Sequence, residues 1–103
     1  MTSEIFKIIK QFKKKYEAEG FIIIGVFGSF ARNEEKAGSD IDILYRINDI
    51  ALEKYSGYKF IGLYEKIKTE LKEVLKLEID LADEDALGPV GKKYILPELV
   101  HVS

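Results

Sequence analysis

At 103 residues the chain fits one domain, residues 1–103, and a domain of that size buries roughly 60 to 70 per cent of its unfolded surface. It has no cysteine, so disulfide-stapled classes and thiolate metal sites are excluded. The net charge of -2 offers no global attraction to nucleic acid or anionic lipid, so no direct nucleic-acid binding is expected and a phosphate ligand has to be held locally.

The N-terminus, MTSEIFKIIKQFKKK, interleaves charges with its apolar residues. It has neither the apolar core of a signal peptide nor a membrane span, which points to a cytoplasmic protein with no membrane partner. Ile5, Ile8, Ile9, Phe12 and Tyr16 recur at helical spacing, predicting a helix from Ser3 to about Ala18 with Ser3 as N-cap and Gly20 as its stop. On that helix Lys13, Lys14 and Lys15 read as a solvated face. Phe21 to Phe27 is a short apolar run and reads as a central strand.

Ser29 to Asn33 fits one or two helical turns opened by Ser29, and Glu34 to Ser39 a loop. A second strand runs from Asp40 to Ile47, with Ile41, Ile43, Tyr45 and Ile47 on one face and Asp40, Asp42, Leu44 and Arg46 on the other. Asn48 to Lys59 is turn-rich and polar and reads as a connection whose conformation the pattern leaves open. A helical stripe from Phe60 to Lys76 and a third strand from Leu77 to Ala82 follow. Beyond Gly88-Pro89 the pattern predicts a short helix near Val90 to Leu96 and then a tail containing His101, the one histidine. These elements together predict an α/β (α+β) domain, a small mixed β-sheet flanked by helices.

The stretch Gly25 to Tyr45 carries the chemistry. Gly28 permits close backbone approach, and the amides that follow Ser29 form a helix N-terminus, which can bind a phosphate anion through its N–H groups and the helix dipole. A Gly-Ser pair alone is equally a turn and an N-cap, and no lysine follows in the P-loop pattern. Asp40 and Asp42 add weight. Two residues apart on a strand, they lie about 6.6 Å apart on one face, and two carboxylates so placed can converge on ions spaced about 3.5 to 4 Å. Without a cation the two charges repel; hard oxygen donors with open positions suit Mg²⁺, whose remaining ligands are waters and substrate phosphates.

Gly28-Ser29, ten residues and Asp40-Ile41-Asp42 resemble the G-S-x₁₀-D-x-D signature of the DNA polymerase β-like nucleotidyltransferase superfamily. GSFAR followed by SDIDIL is most similar to the minimal nucleotidyltransferases, small antitoxin partners of helical HEPN ribonuclease toxins. The resemblance implies a polymerase β-like fold and transfer of AMP from ATP to a hydroxyl. For a chain with little sequence left for an acceptor domain, that hydroxyl is expected to be a tyrosine of the toxin. It also implies a two-metal Mg²⁺ site with Asp40, Asp42 and a third carboxylate as metal ligands and catalytic residues. Asp80 matches that third position, with Glu78 as the alternative on the same strand face. Gly28, Ser29, Arg32 and Ser39 are the expected nucleotide-binding residues. Arg32 either touches phosphate or pairs with Glu34 or Glu35, and Asn33 stands where the family often has glycine, a position asparagine tolerates in left-handed geometry. A non-catalytic toxin-binding module and a small-molecule nucleotidyltransferase are the rival readings, and a homo- or hetero-oligomer is left open.

Overall fold

The computed structural model describes all residues, 1–103. The first helix, α1, spans Ser3–Glu17. Thr2 rather than Ser3 is its N-cap: Thr2 is extended, and its hydroxyl accepts from the Ile5 amide at 3.2 Å, while Ser3 is already helical. A cap needs an extended backbone with its side chain reaching three residues on, a condition that either hydroxyl satisfies by composition and only Thr2 satisfies by geometry. Gly20, at φ +82°, turns the chain into β1, Phe21–Phe27.

Strand β2, Ile41–Ile47, pairs antiparallel with β1. It is followed by a helix, α2 (Asp49–Lys54), inside the connection whose conformation the sequence pattern left open. Asn48 caps this helix by accepting from the Ile50 amide, and Asp49 sits in its first turn, a favourable charge for the helix dipole. The long helix α3, Lys59–Leu75, then crosses over to β3, Ile79–Asp83, which runs parallel to β2. A parallel neighbour requires such a crossover because no tight turn can return the chain in the same direction.

After a 3₁₀ turn at Glu84–Ala86 come helix α4, Pro89–Ile95, and a second 3₁₀ turn, Leu96–Glu98. The expected tail is instead an edge strand, β4 (Val100–His101), antiparallel to β1. The Val102 amide extends this pairing by donating to the Ile24 carbonyl at 2.9 Å, and Val102 itself is buried. The backbone groups on the free side of β1 would otherwise lack partners, and the apolar run Leu99 to Val102 supplies them. His101 therefore stands opposite Gly25 in the sheet. The strand order is β3-β2-β1-β4.

The main core lies on one side of this sheet, with Leu44 also fully buried on the other face of β2. Ile9, Phe12 and Tyr16 of α1 and Leu63, Ile67 and Leu71 of α3 pack against the inward residues of β1, β2 and β3, among them Ile23, Ile41, Ile43 and Ile79. Phe21 and Tyr45 stack across the β1–β2 pair with ring centroids 4.4 Å apart. The two helices are joined above the core by Glu70, which accepts from the Tyr16 hydroxyl at 2.5 Å and from Lys15 at 3.1 Å. Because side chains alternate along a strand, burying Ile41 and Ile43 directs Asp42 to the opposite face. Ile67 is fully buried in the middle of this core. Ile67→Ala is expected to lower the unfolding free energy by about 2 to 5 kcal/mol, read from the urea midpoint at unchanged slope.

Candidate active site

Three backbone segments meet at one end of the sheet. Phe27, the last residue of β1, is registered opposite Asp42, and Asp42 in turn is registered opposite Asp80 of β3. Neighbouring strands lie about 4.8 Å apart, so the two aspartates project side by side from adjacent strands. Asp40 directly precedes β2 and is exposed, as is Asp80, while Asp42 is half-buried. Gly28 follows Phe27 at φ +77°, and a Cβ built on it would overlap the Asp42 carboxylate. The turn backbone and the carboxylate are thus in direct contact, a closeness that only glycine allows.

Beyond Gly28 the chain folds into hydrogen-bonded turns rather than a regular helix. The Arg32 amide donates to the Gly28 carbonyl at 3.1 Å, and the Glu34 amide to the Ser29 carbonyl at 2.9 Å. Phe30, buried at 5% exposure, anchors the turn in the core, and Asn33, at φ +57°, closes it in the left-handed region anticipated for it. The amides of Ser29, Phe30 and Ala31 donate to no protein acceptor, and neither does the Ser29 hydroxyl. They form a short run of free donors beside the aspartates.

The Gly28 amide is not free. It donates to Oε1 of Glu98 at 2.9 Å, and the other oxygen of Glu98 accepts from Nη1 of Arg32 at 2.8 Å. Arg32 also pairs through Nε with Glu34 at 3.0 Å, whereas Glu35 is not its partner. Glu98 had no sequence signal: it lies 70 residues from Gly28, in a 3₁₀ turn flanked by unremarkable residues. The expected alternative to Asp80, Glu78, lies outside β3 and pairs with Lys72 at 2.9 Å. Ser39 accepts from the Lys36 amide at 2.9 Å and lines a groove of about 670 Å³ between its loop and the end of α3, which also presents Lys72 and Lys76.

Crowding of negative charge sets the electrostatics. The Asp42 carboxyl is pushed up to about 6, first by burial, then by the charge of Asp80 and by donating its own proton to Asp80, with Asp40 and Glu98 adding to the effect. Glu98, by contrast, is held below the usual carboxylate range by Arg32 and by the Gly28 N–H. No three acidic or histidine side chains converge into a finished metal cage. An all-oxygen set with open positions, crowded enough to push one carboxyl well above its ordinary range, fits a hard divalent ion whose remaining ligands are waters and phosphates.

The family model for the nucleotidyltransferase domain matches residues 5–101, which is nearly the whole length. The chain belongs to the nucleotidyltransferase domain family. Among its relatives, the protein adenylyltransferase MntA of Thermococcus cleftensis is 39% identical over 100 residues, covering 96% of this chain and 93% of that protein. A Methanocaldococcus jannaschii protein provisionally named a protein adenylyltransferase is 40% identical over 77 residues, 75% of this chain and 74% of its own. A solved structure assigned provisionally as a minimal nucleotidyltransferase superposes with a TM-score of 0.73 at 23% identity, covering 97% of this chain and 95% of that one. The MNT antitoxin complex with the tri-AMPylated HEPN toxin of Shewanella oneidensis gives 0.63 at 17% identity, over 100% of this chain and 72% of that one. The fold anticipated from the signature is therefore the fold observed, and this nucleotidyltransferase shares it.

Two outcomes follow from the geometry. Gly28→Ala combines a strained φ with overlap on Asp42, so it is expected to destabilise the nucleotidyltransferase by more than about 1 kcal/mol, checked by thermal melts. Asp42 binds its proton more tightly folded than unfolded, so its contribution to stability is fully present below its ordinary carboxylate range and is lost as pH rises toward about 6. In melts without divalent ions from pH 4 to 7, Asp42→Asn is expected to remove that downward component of the stability profile.

Proposed function

We propose that this nucleotidyltransferase is a Mg²⁺-dependent protein adenylyltransferase that moves AMP from ATP to a tyrosine hydroxyl of a HEPN ribonuclease toxin and thereby acts as its antitoxin. The observation that carries the reading is the meeting of Asp42 with Asp80 and with the Gly28 backbone. Carboxylates able to hold a metal and a turn with amides free for phosphate are thus contiguous, which supports in-line transfer at an α-phosphate. The relatives named protein adenylyltransferases support the reaction class. A toxin–antitoxin structure containing AMP-PNP, with a TM-score of 0.63, supports the nucleotide, and the AMPylated HEPN toxin complex supports the partner.

In this mechanism the free amides of Ser29, Phe30 and Ala31 and the Ser29 hydroxyl hold the β- and γ-phosphates. Asp40, Asp42 and Asp80 would hold Mg²⁺, which supplies charge neutralisation to the phosphates and to the attacking and leaving oxygens. Asp80, exposed at the open edge of the site, takes the proton of the acceptor hydroxyl. The acceptor oxygen forms a bond to the α-phosphorus, the bond from that phosphorus to the bridging oxygen breaks, and pyrophosphate leaves. The AMP group adds negative charge and bulk to the toxin, and both oppose entry of an RNA phosphate.

Incubating the chain with ATP, Mg²⁺ and its co-encoded helical partner is expected to add AMP masses to the partner, localised to tyrosine by tandem mass spectrometry, and to abolish its ribonuclease activity. Asp42→Asn, shape-conserving but one charge short, is expected to fold and to lose transfer. Equal neutralisation by that variant without a mass change would instead establish inhibition by binding alone.

A further inference from the structure

We propose that Glu98 is a positioning residue for the nucleotide: it staples the turn that carries the free amides and aims Arg32. This rests on the reading of the Gly28–Arg32 turn as the ATP phosphate grip. The two oxygens of Glu98 bond to opposite ends of that turn, the Gly28 amide at 2.9 Å and the Arg32 guanidinium at 2.8 Å, and so bracket the three amides that have no partner. The turn needs such a clamp. It holds only three backbone hydrogen bonds of its own, from Arg32, Asn33 and Glu34, and a segment that short does not hold its shape alone. Its other anchors are the buried Phe30, Ala31 packed against the core and the N-terminal ammonium on the Asn33 side-chain oxygen, and none of them bonds to the Gly28 amide or the Arg32 guanidinium.

Glu98 itself is well fixed. The 3₁₀ turn Leu96–Glu98 is followed at once by β4, whose pairing with Gly25 and Val26 holds the C-terminal segment beside the end of β1. Only 26% of the Glu98 side chain is exposed. By taking the Gly28 donor, Glu98 shifts the phosphate seat one residue onward to Ser29, Phe30 and Ala31, away from the Asp42 carboxylate that lies against Gly28. A triphosphate seated there has the Arg32 charge beside it already oriented, with no side-chain ordering left to complete on binding. The opposite role for the same contact is a carboxylate that occupies the phosphate seat until ATP displaces it; the three free amides favour the positioning role, because the seat remains available with Glu98 in place.

The test compares wild type, Glu98→Gln, Glu98→Asp and Glu98→Ala by titration with a fluorescent ATP analogue and Mg²⁺, by steady-state AMP transfer, and by thermal melts. Glu98→Gln keeps the size of the side chain and an oxygen for Gly28 but turns an N–H group toward Arg32, which guards against loss of fold. Expected is a roughly tenfold or greater rise in the Kd and KM for ATP in Glu98→Ala and Glu98→Gln, with kcat changed less and partial recovery in Glu98→Asp. Tighter ATP binding in Glu98→Ala would overturn the proposal in favour of a displaced stand-in for phosphate. Unchanged ATP affinity in folded variants with a lowered Tm would reduce Glu98 to a tail anchor. Failure of wild type itself to bind ATP or transfer AMP would refute the underlying reading of the site, a result separable from either.

Discussion

The strict alternation of side chains along β2 is the constraint on which the site depends. Ile41 and Ile43 are fully buried against α1 and α3, and once they are committed to that face Asp42 has to leave on the other. A slip of one residue would bury the carboxylate and expose two isoleucines, so the hydrophobic energy of the core also enforces the position of the acid. The parallel register of β3 then brings Asp80 beside Asp42, and the antiparallel register of β1 brings Gly28 against it. Core packing and site assembly are one arrangement seen from two sides of a sheet.

That arrangement leaves an electrostatic conflict. Asp40, Asp42, Asp80 and Glu98 gather at one end of the sheet, and the nearby Arg32 is bound to Glu98 and Glu34 rather than to the aspartates. The two halves of the site resolve the conflict differently. At Glu98 the charge is neutralised by a guanidinium and a backbone N–H, and the carboxylate stays ionised. At Asp42 nothing neutralises it, and burial together with the charge of Asp80 pushes its carboxyl up to about 6.

Much of this was legible in the chain because it is written in local pattern. The apolar stripes of α1 and α3, the alternation of β2 and the turn chemistry at Gly28 and Asn33 each depend on residues within a few positions of one another. So did the family resemblance, whose two elements lie 10 residues apart. Local signals also had limits: α2 was hidden by its turn-forming composition although Asn48-Asp49 is an N-cap pair, and Thr2 took the cap assigned to its neighbour because backbone geometry, not residue type, decides between adjacent hydroxyls.

The sequence by itself determined which residues could bear charge, which faces were apolar, and that a Gly-Ser turn and an aspartate pair shared one domain. Tertiary structure alone decided what stood next to them. The C-terminal residues became a strand because β1 had an unpaired edge, a property of the sheet that no local window contains. Strand register stands Asp80, already favoured by the family pattern, beside Asp42, while Glu78 lies outside β3 and pairs with Lys72. The capture of Gly28 and Arg32 by Glu98 joins positions 70 and 66 residues apart, a contact created only when β4 closes the sheet. Side-chain type is local information, whereas the partner of a charge is set by the distances that folding creates.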